Sequence, residues 1–128
     1  MRLLLDTHIA LRAITDSPRL PARARELILA PASEIFVSAA SVWEIAFKHT
    51  LNRGNMPVSG AEAARYFTEA GYVLLPITAE HAAATGTLPR LHADPFDRIL
   101  IAQAITEPLR LMTCDATVAK YGDLMLPV

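Results

Sequence analysis

The sequence predicts an α/β fold, a parallel sheet with helices on both faces. Three observations carry that prediction. Short apolar runs alternate along the chain with longer helical stretches. The runs Leu3-Leu4-Leu5 and Ile35-Phe36-Val37 are apolar at every position, as strands buried on both faces are. Most helical stretches open on a Ser, Thr, Asp or Pro signal.

The elements follow in order. Arg2–Leu5 is a strand, Thr7 to Ile14 a helix, and Ser17-Pro18 a stop, because the residue before proline is pushed out of the helical region. Pro21 to Ala30 is a second helix with proline near its start, ended by Pro31. Ile35–Val37 is the second strand. Ser38 caps a helix to about Leu51, broken at Asn52-Arg53-Gly54-Asn55. Ser59 caps another ending at Gly71. Tyr72–Ile77 is the third strand, and Thr78 caps a helix over Ala79–Thr85 that Gly86 closes. Leu88–Ala93 is a loop. Asp94 caps a helix from Pro95 to Thr106, stopped before Pro108. Leu109–Thr113 is the fourth strand, Ala116–Tyr121 a short helix and Leu124–Leu126 a fifth strand.

The 128 residues fit one domain, 1–128, and the 52% hydrophobic content supports a core. A formal net charge of −1 argues against the basic surface of many nucleic-acid binders, but leaves room for a nuclease with a local basic rim. The mean hydropathy of +0.29 predicts exposed apolar surface that meets a partner or a second copy. Cys114 is the single cysteine, so an internal disulfide and a zinc-cysteine site are excluded and a reducing cytoplasm is expected. Met1–Leu5 is too short for a signal h-region, and no apolar stretch reaches membrane-spanning length.

In parallel sheets the ligand crevice lies at the carboxyl ends of the strands. Asp6 directly follows the first strand and Asp115 follows the fourth by two residues. Glu44 sits in the second turn of the helix leaving strand two, and Asp97 in the first turn of the helix feeding strand four. The loop Leu88–Ala93 must climb back to that rim, and six extended residues reach about 20 Å. Taken singly, each acid has a structural reading. Asp6, Asp94 and Asp115 suit helix caps, Asp97 suits a helix N-terminus, and Glu44 suits a solvated pair with Lys48. Capping does not require four acids at one edge, and Glu44 lies between Val42-Trp43 and Ile45-Ala46-Phe47, apolar surroundings that read as buried. Uncompensated carboxylates against an apolar body point to a divalent metal.

Four pieces of sequence identify a family. They are Leu3-Leu4-Leu5-Asp6-Thr7-His8, then Val37-Ser38 with Ser41-Val42-Trp43-Glu44-Ile45-Ala46 and Lys48, then Asp94-Pro95-Phe96-Asp97-Arg98-Ile99-Leu100-Ile101-Ala102-Gln103-Ala104, and Leu111-Met112-Thr113-Cys114-Asp115. In this order and spacing the chain resembles the PIN-domain ribonucleases, and within them the toxin of VapBC-type toxin–antitoxin pairs. The resemblance covers nearly the whole chain. It implies a three-layer α/β/α sandwich on a parallel sheet of about five strands. It implies a Mg²⁺- or Mn²⁺-dependent endoribonuclease whose acidic quartet is Asp6, Glu44, Asp97 and Asp115. It further implies a cognate VapB-type antitoxin, a homodimer joined through apolar helix faces, and an antitoxin clamp around Ser38–Leu51 and Ser59–Gly71.

Oxygen ligands suit Mg²⁺ or Mn²⁺ over zinc. Asp6 and Asp97 are taken as the inner ligands, with Glu44 and Asp115 holding waters or a second ion. A water acidified by the cation then attacks the scissile phosphorus. Other polar residues keep two readings. Thr7 and Thr113 orient a carboxylate or pack at element ends, and Ser41 shares a helix face with Glu44. Arg98 contacts phosphate or pairs with Asp94, and Asp94 caps. His8 and His92 lie near the rim without an assigned catalytic role, and His49 and His81 read as surface histidines. Trp43, Phe47 and Phe96 read as core rather than base-stacking platforms.

The alternative is a non-catalytic PIN-like module binding RNA or protein, against which the intact quartet argues. A haloacid-dehalogenase-type phosphatase requires an acid where His8 stands. The paired acids of a receiver domain are missing, and no glycine-rich phosphate loop exists.

Overall fold

The computed structural model describes residues 1–53 and 55–128. Five parallel strands form one sheet in the order β3-β2-β1-β4-β5. They are β1 (Arg2–Leu5), β2 (Glu34–Ser38), β3 (Val73–Leu75), β4 (Arg110–Thr113) and β5 (Met125–Pro127). The helices are α1 (Thr7–Ile14), α2 (Ala22–Leu29), α3 (Ala39–Thr50), α4 (Gly60–Glu69), α5 (Ala79–Ala84), α6 (Pro95–Thr106) and α7 (Ala116–Ala119), with a 3₁₀ turn at Thr85–Thr87. No helix among the described residues is long and apolar enough to cross a membrane.

The all-apolar strands are explained by two cores. Leu3 and Leu5 face one core with Ile9, Ala24, Ile45, Ala63 and Phe67, from α1 to α4. Leu4 faces the other with Leu100, Ile101, Ala104 and Val118, from α6 and α7. Side chains alternate across a strand, so a residue run buried on both faces must be continuously apolar. The expected three-layer α/β/α sandwich is therefore present.

Most predicted boundaries agree with the structure to within one or two residues. The third strand is shorter, Val73–Leu75 rather than Tyr72–Ile77. It is an edge strand, and Pro76 brings no N–H to continue the ladder. Gly86 does not close α5; it lies inside the 3₁₀ turn that extends it. The break after α3 falls on Asn52 and Asn55, both at positive φ (52° and 49°), while Gly54 lies outside the described residues. Gly60 begins α4 where a Cβ would stand 2.5 Å from Ala46 Cβ, so close α3–α4 packing requires glycine there.

Three aromatic expectations are corrected. Trp43 is 60% exposed and Phe47 45% exposed, and Phe96 is only partly buried. The inner face of α3 is taken by Ala40, Ser41, Glu44 and Ile45, which turns Trp43 and Phe47 outward. Phe96 meets Trp43 edge-on, with ring centroids 4.9 Å apart. His81 is also corrected: it is buried, not on the surface. It stands at the third position of α5, where its Nδ1 accepts the Thr78 N–H at 3.0 Å, as Glu does in a capping box. Its Nε2 lies 2.6 Å from the Glu107 carboxylate.

Candidate metal centre

The strand order reverses direction between β1 and β4, so their carboxyl ends flank a crevice. Asp6 leaves β1 and Asp115 leaves β4 by two residues. α3 starts at the same edge, and α6, which runs back to feed β4, starts there too. All four predicted acids thus stand at the carboxyl edge.

Three aspartates at this edge, Asp6, Asp94 and Asp115, have a capping duty that occupies one oxygen. Asp6 Oδ1 accepts the Ile9 N–H at 2.8 Å. Asp115 Oδ1 accepts Thr117 N–H at 2.7 Å and Val118 N–H at 3.2 Å. Asp94 Oδ1 accepts the N–H groups of Phe96 and Asp97. The structural reading of these residues is therefore correct as far as it goes, and the second oxygen of Asp115 remains for the site. Asp115 Oδ2 lies 3.5 Å from His92 Nε2, and Asp97 Oδ2 lies 2.7 Å from the same nitrogen. His92, Asp97 and Asp115 each offer a ligand atom, all within 4.8 Å of one another. Asp6 and Glu44 are not part of that group.

The electrostatics show what the acids do to each other. Burial pushes the Asp97 carboxyl up to about 6, the neighbouring charges of Asp94 and Glu44 push the same way, and His92 opposes them. Asp6, 7% exposed, is also raised by burial; the N–H of Ile9, the Thr113 hydroxyl and the His8 charge hold it down in part. Glu44 is 3% exposed. Its Oε2 pairs with Lys48 at 2.5 Å, while Oε1 is buried with no partner among the described residues. Glu44 is buried and Lys48 partly buried, so the pair is not the solvated surface pair expected. No Lys or Arg pairs with Asp6, Asp97 or Asp115 among the described residues.

Neighbouring side chains resolve several open readings. Thr7 donates to Ser41 at 2.9 Å, both buried, which ties α1 to α3. Thr113 sits between two acids: its hydroxyl accepts the Asp115 N–H at 2.9 Å and helps hold the Asp6 carboxyl down. Arg98 makes no ion pair with Asp94 among the described residues; its guanidinium donates to Thr85, Pro89 and His92 carbonyls and to the Tyr121 hydroxyl. Sequence reasoning gave His92 no role. The signal for it was its place in the loop that must climb to the rim, five residues before Asp97.

A divalent cation fits this donor set. Adjacent ligands on an octahedral ion with bonds near 2.1 Å stand about 3 Å apart. The observed 2.7 and 3.5 Å separations bracket that value. Unneutralised carboxylates and the unpartnered Glu44 Oε1 are the features such an ion, or the waters around it, would satisfy.

The PIN domain family model matches residues 3–124 of this chain. No curated protein matches it. Among solved structures it is similar to VapBC2 from Rickettsia felis bound to a DNA fragment from their promoter, at TM-score 0.71 and 19% identity over 100% of this chain and 98% of that one. It is similar to FitAcB from Neisseria gonorrhoeae, at TM-score 0.62 and 20% identity over 98% and 96%. It is also similar to VapBC-1 from nontypeable Haemophilus influenzae, at TM-score 0.63 and 17% identity over 94% and 92%. At these identities the solved structures share the fold, and the family model supplies the membership: this chain belongs to the PIN domain family.

Proposed function

We propose that the chain is a metal-dependent endoribonuclease and the toxin of a type II toxin–antitoxin pair. The observation that carries this reading is the group of His92, Asp97 and Asp115 at the sheet's carboxyl edge, unpaired with lysine or arginine among the described residues, on a PIN fold. Asp97 and Asp115, with His92, would hold Mg²⁺ or Mn²⁺. Asp6 and Glu44 complete the acidic rim as the remaining catalytic carboxylates. When bound, the cation supplies Lewis acidity, acidifying a water and offsetting charge on the phosphoryl oxygens.

The chain's own groups prepare that chemistry. Lys48 compensates the Glu44 charge through Oε2, and Oε1, without a partner among the described residues, can accept from a water. Thr113 fixes the start of the Asp115 turn by accepting its N–H. A cavity of about 490 Å³ beside His92, with Arg90 on its wall, offers room and positive charge for an RNA strand. The outward row Trp43 and Phe47 on α3 with Leu51 just past its end, spaced four residues apart, supports homodimerisation. A VapB-type antitoxin, by analogy with the VapBC complexes of similar fold, blocks the rim in the cytoplasm.

The test is RNA cleavage with and without EDTA, beside Asp6→Asn and Asp97→Asn variants. Loss of cleavage in all three supports the proposal. Cleavage that survives both chelation and substitution excludes it.

A further inference from the structure

Residues 88–93 carry His92 to the rim without belonging to a helix or strand. Two side chains from elsewhere hold their main chain. The Tyr121 hydroxyl donates to the Pro89 carbonyl at 2.9 Å and accepts the N–H groups of Leu91 and His92 at 3.2 and 2.8 Å. The Arg98 guanidinium donates to the carbonyls of Thr85 (2.8 Å), Pro89 (3.1 Å) and His92 (3.2 Å), and to Tyr121 Oη at 3.4 Å. His92 is therefore fixed through both its N–H and its C=O, by two residues that also bond each other. Backbone groups in a loop need such partners when no ladder supplies them. A planar guanidinium serves several carbonyls at once, which the point charge of lysine does not. A phenol both donates and accepts, and phenylalanine fills the same space while doing neither.

We propose that Tyr121 and Arg98 are positioning residues: they buckle the 88–93 loop so that the His92 imidazole is held against the carboxylates of Asp97 and Asp115. The consequence for metal binding rests on the nuclease reading; the placement of the imidazole does not. Arg98, with its donors turned to main-chain carbonyls, serves the loop and not the substrate phosphate.

The test uses the full chain and Tyr121→Phe, with Arg98→Lys as a second variant. In EDTA, amide exchange at Leu91 and His92 rises by about tenfold in Tyr121→Phe, the equivalent of one net hydrogen bond. The His92 imidazole ¹⁵N resonance moves toward its position in Asp97→Asn, and Arg98→Lys moves it the same way. In calorimetric Mn²⁺ titration, Tyr121→Phe weakens binding several-fold in the native background and not in a His92→Ala background, the pattern of residues acting through one another. An unmoved imidazole resonance overturns the proposal, as does an equal loss of Mn²⁺ affinity in both backgrounds. Should the unmutated chain bind no Mn²⁺, the metal reading fails, and the metal-free resonance still decides the clamp.

Discussion

Replacing Asp97 by asparagine should stabilise the metal-free protein at neutral pH, although it removes a hydrogen bond. The Asp97 carboxyl rises from 3.8 to about 6 on folding, chiefly through burial and then through Asp94. A group raised in the folded state contributes stability that is full below its unfolded value and lost as pH climbs through its folded one. Each tenfold change in proton affinity on folding is worth about 1.4 kcal/mol. Ionising Asp97 thus costs the fold about 3 kcal/mol by pH 7.5, but only about 1 kcal/mol at pH 4.5. Asparagine carries no such cost at either pH. The difference in unfolding free energy between Asp97→Asn and the native sequence should therefore swing by about 2 kcal/mol in the variant's favour between pH 4.5 and 7.5. The lost contact with His92, 2.7 Å long, offsets part of the gain at both values. Urea unfolding in EDTA at the two pH values measures it. An unfolding midpoint shifted equally at both would refute the view that a buried, mutually repelling carboxylate sits here.

Further outcomes follow from the same geometry. At a Mn²⁺ concentration a hundredfold above its dissociation constant, the native chain should gain about 2.7 kcal/mol and Asp97→Asn much less, read by thermal shift against EDTA. Asp94→Asn keeps the cap on α6 but removes the largest charge raising Asp97, so an NMR titration should find the Asp97 carboxyl below about 6 with little change in melting temperature. Lys48→Met leaves the buried Glu44 carboxylate unpaired and should cost about 2 kcal/mol, while the further change Glu44→Gln recovers most of it; urea midpoints that change little in Lys48→Met would contradict the pairing of Glu44 with Lys48. Gly60→Ala drives a methyl to within 2.5 Å of Ala46 Cβ and should cost about 1–3 kcal/mol by calorimetry.

Much of the fold was legible because its determinants are local. The caps at Ser38, Ser59, Thr78 and Asp94 sit where expected, since a short polar side chain bonding the next turn's N–H depends on adjacent residues alone. The apolar strands were legible for the same reason, and a parallel sheet then places Asp6 and Asp115 at one edge without knowledge of any loop. Helix faces were harder. Glu44 is flanked by apolar residues on both sides in sequence, and only the docking of α3 shows that Glu44 turns inward and Trp43 outward.

The sequence alone determined the class of fold, the caps, the twofold-buried strands and the edge to which the acids belong. The tertiary structure decided which groups meet there. His92 reaches Asp97 and Asp115 because Tyr121 and Arg98, 29 and 6 residues away, fix the loop that carries it. His81 is buried because α5 packs on α6 and Glu107 receives its ring. Those contacts depend on the path of the chain between elements, and pattern and propensity do not encode that path locally.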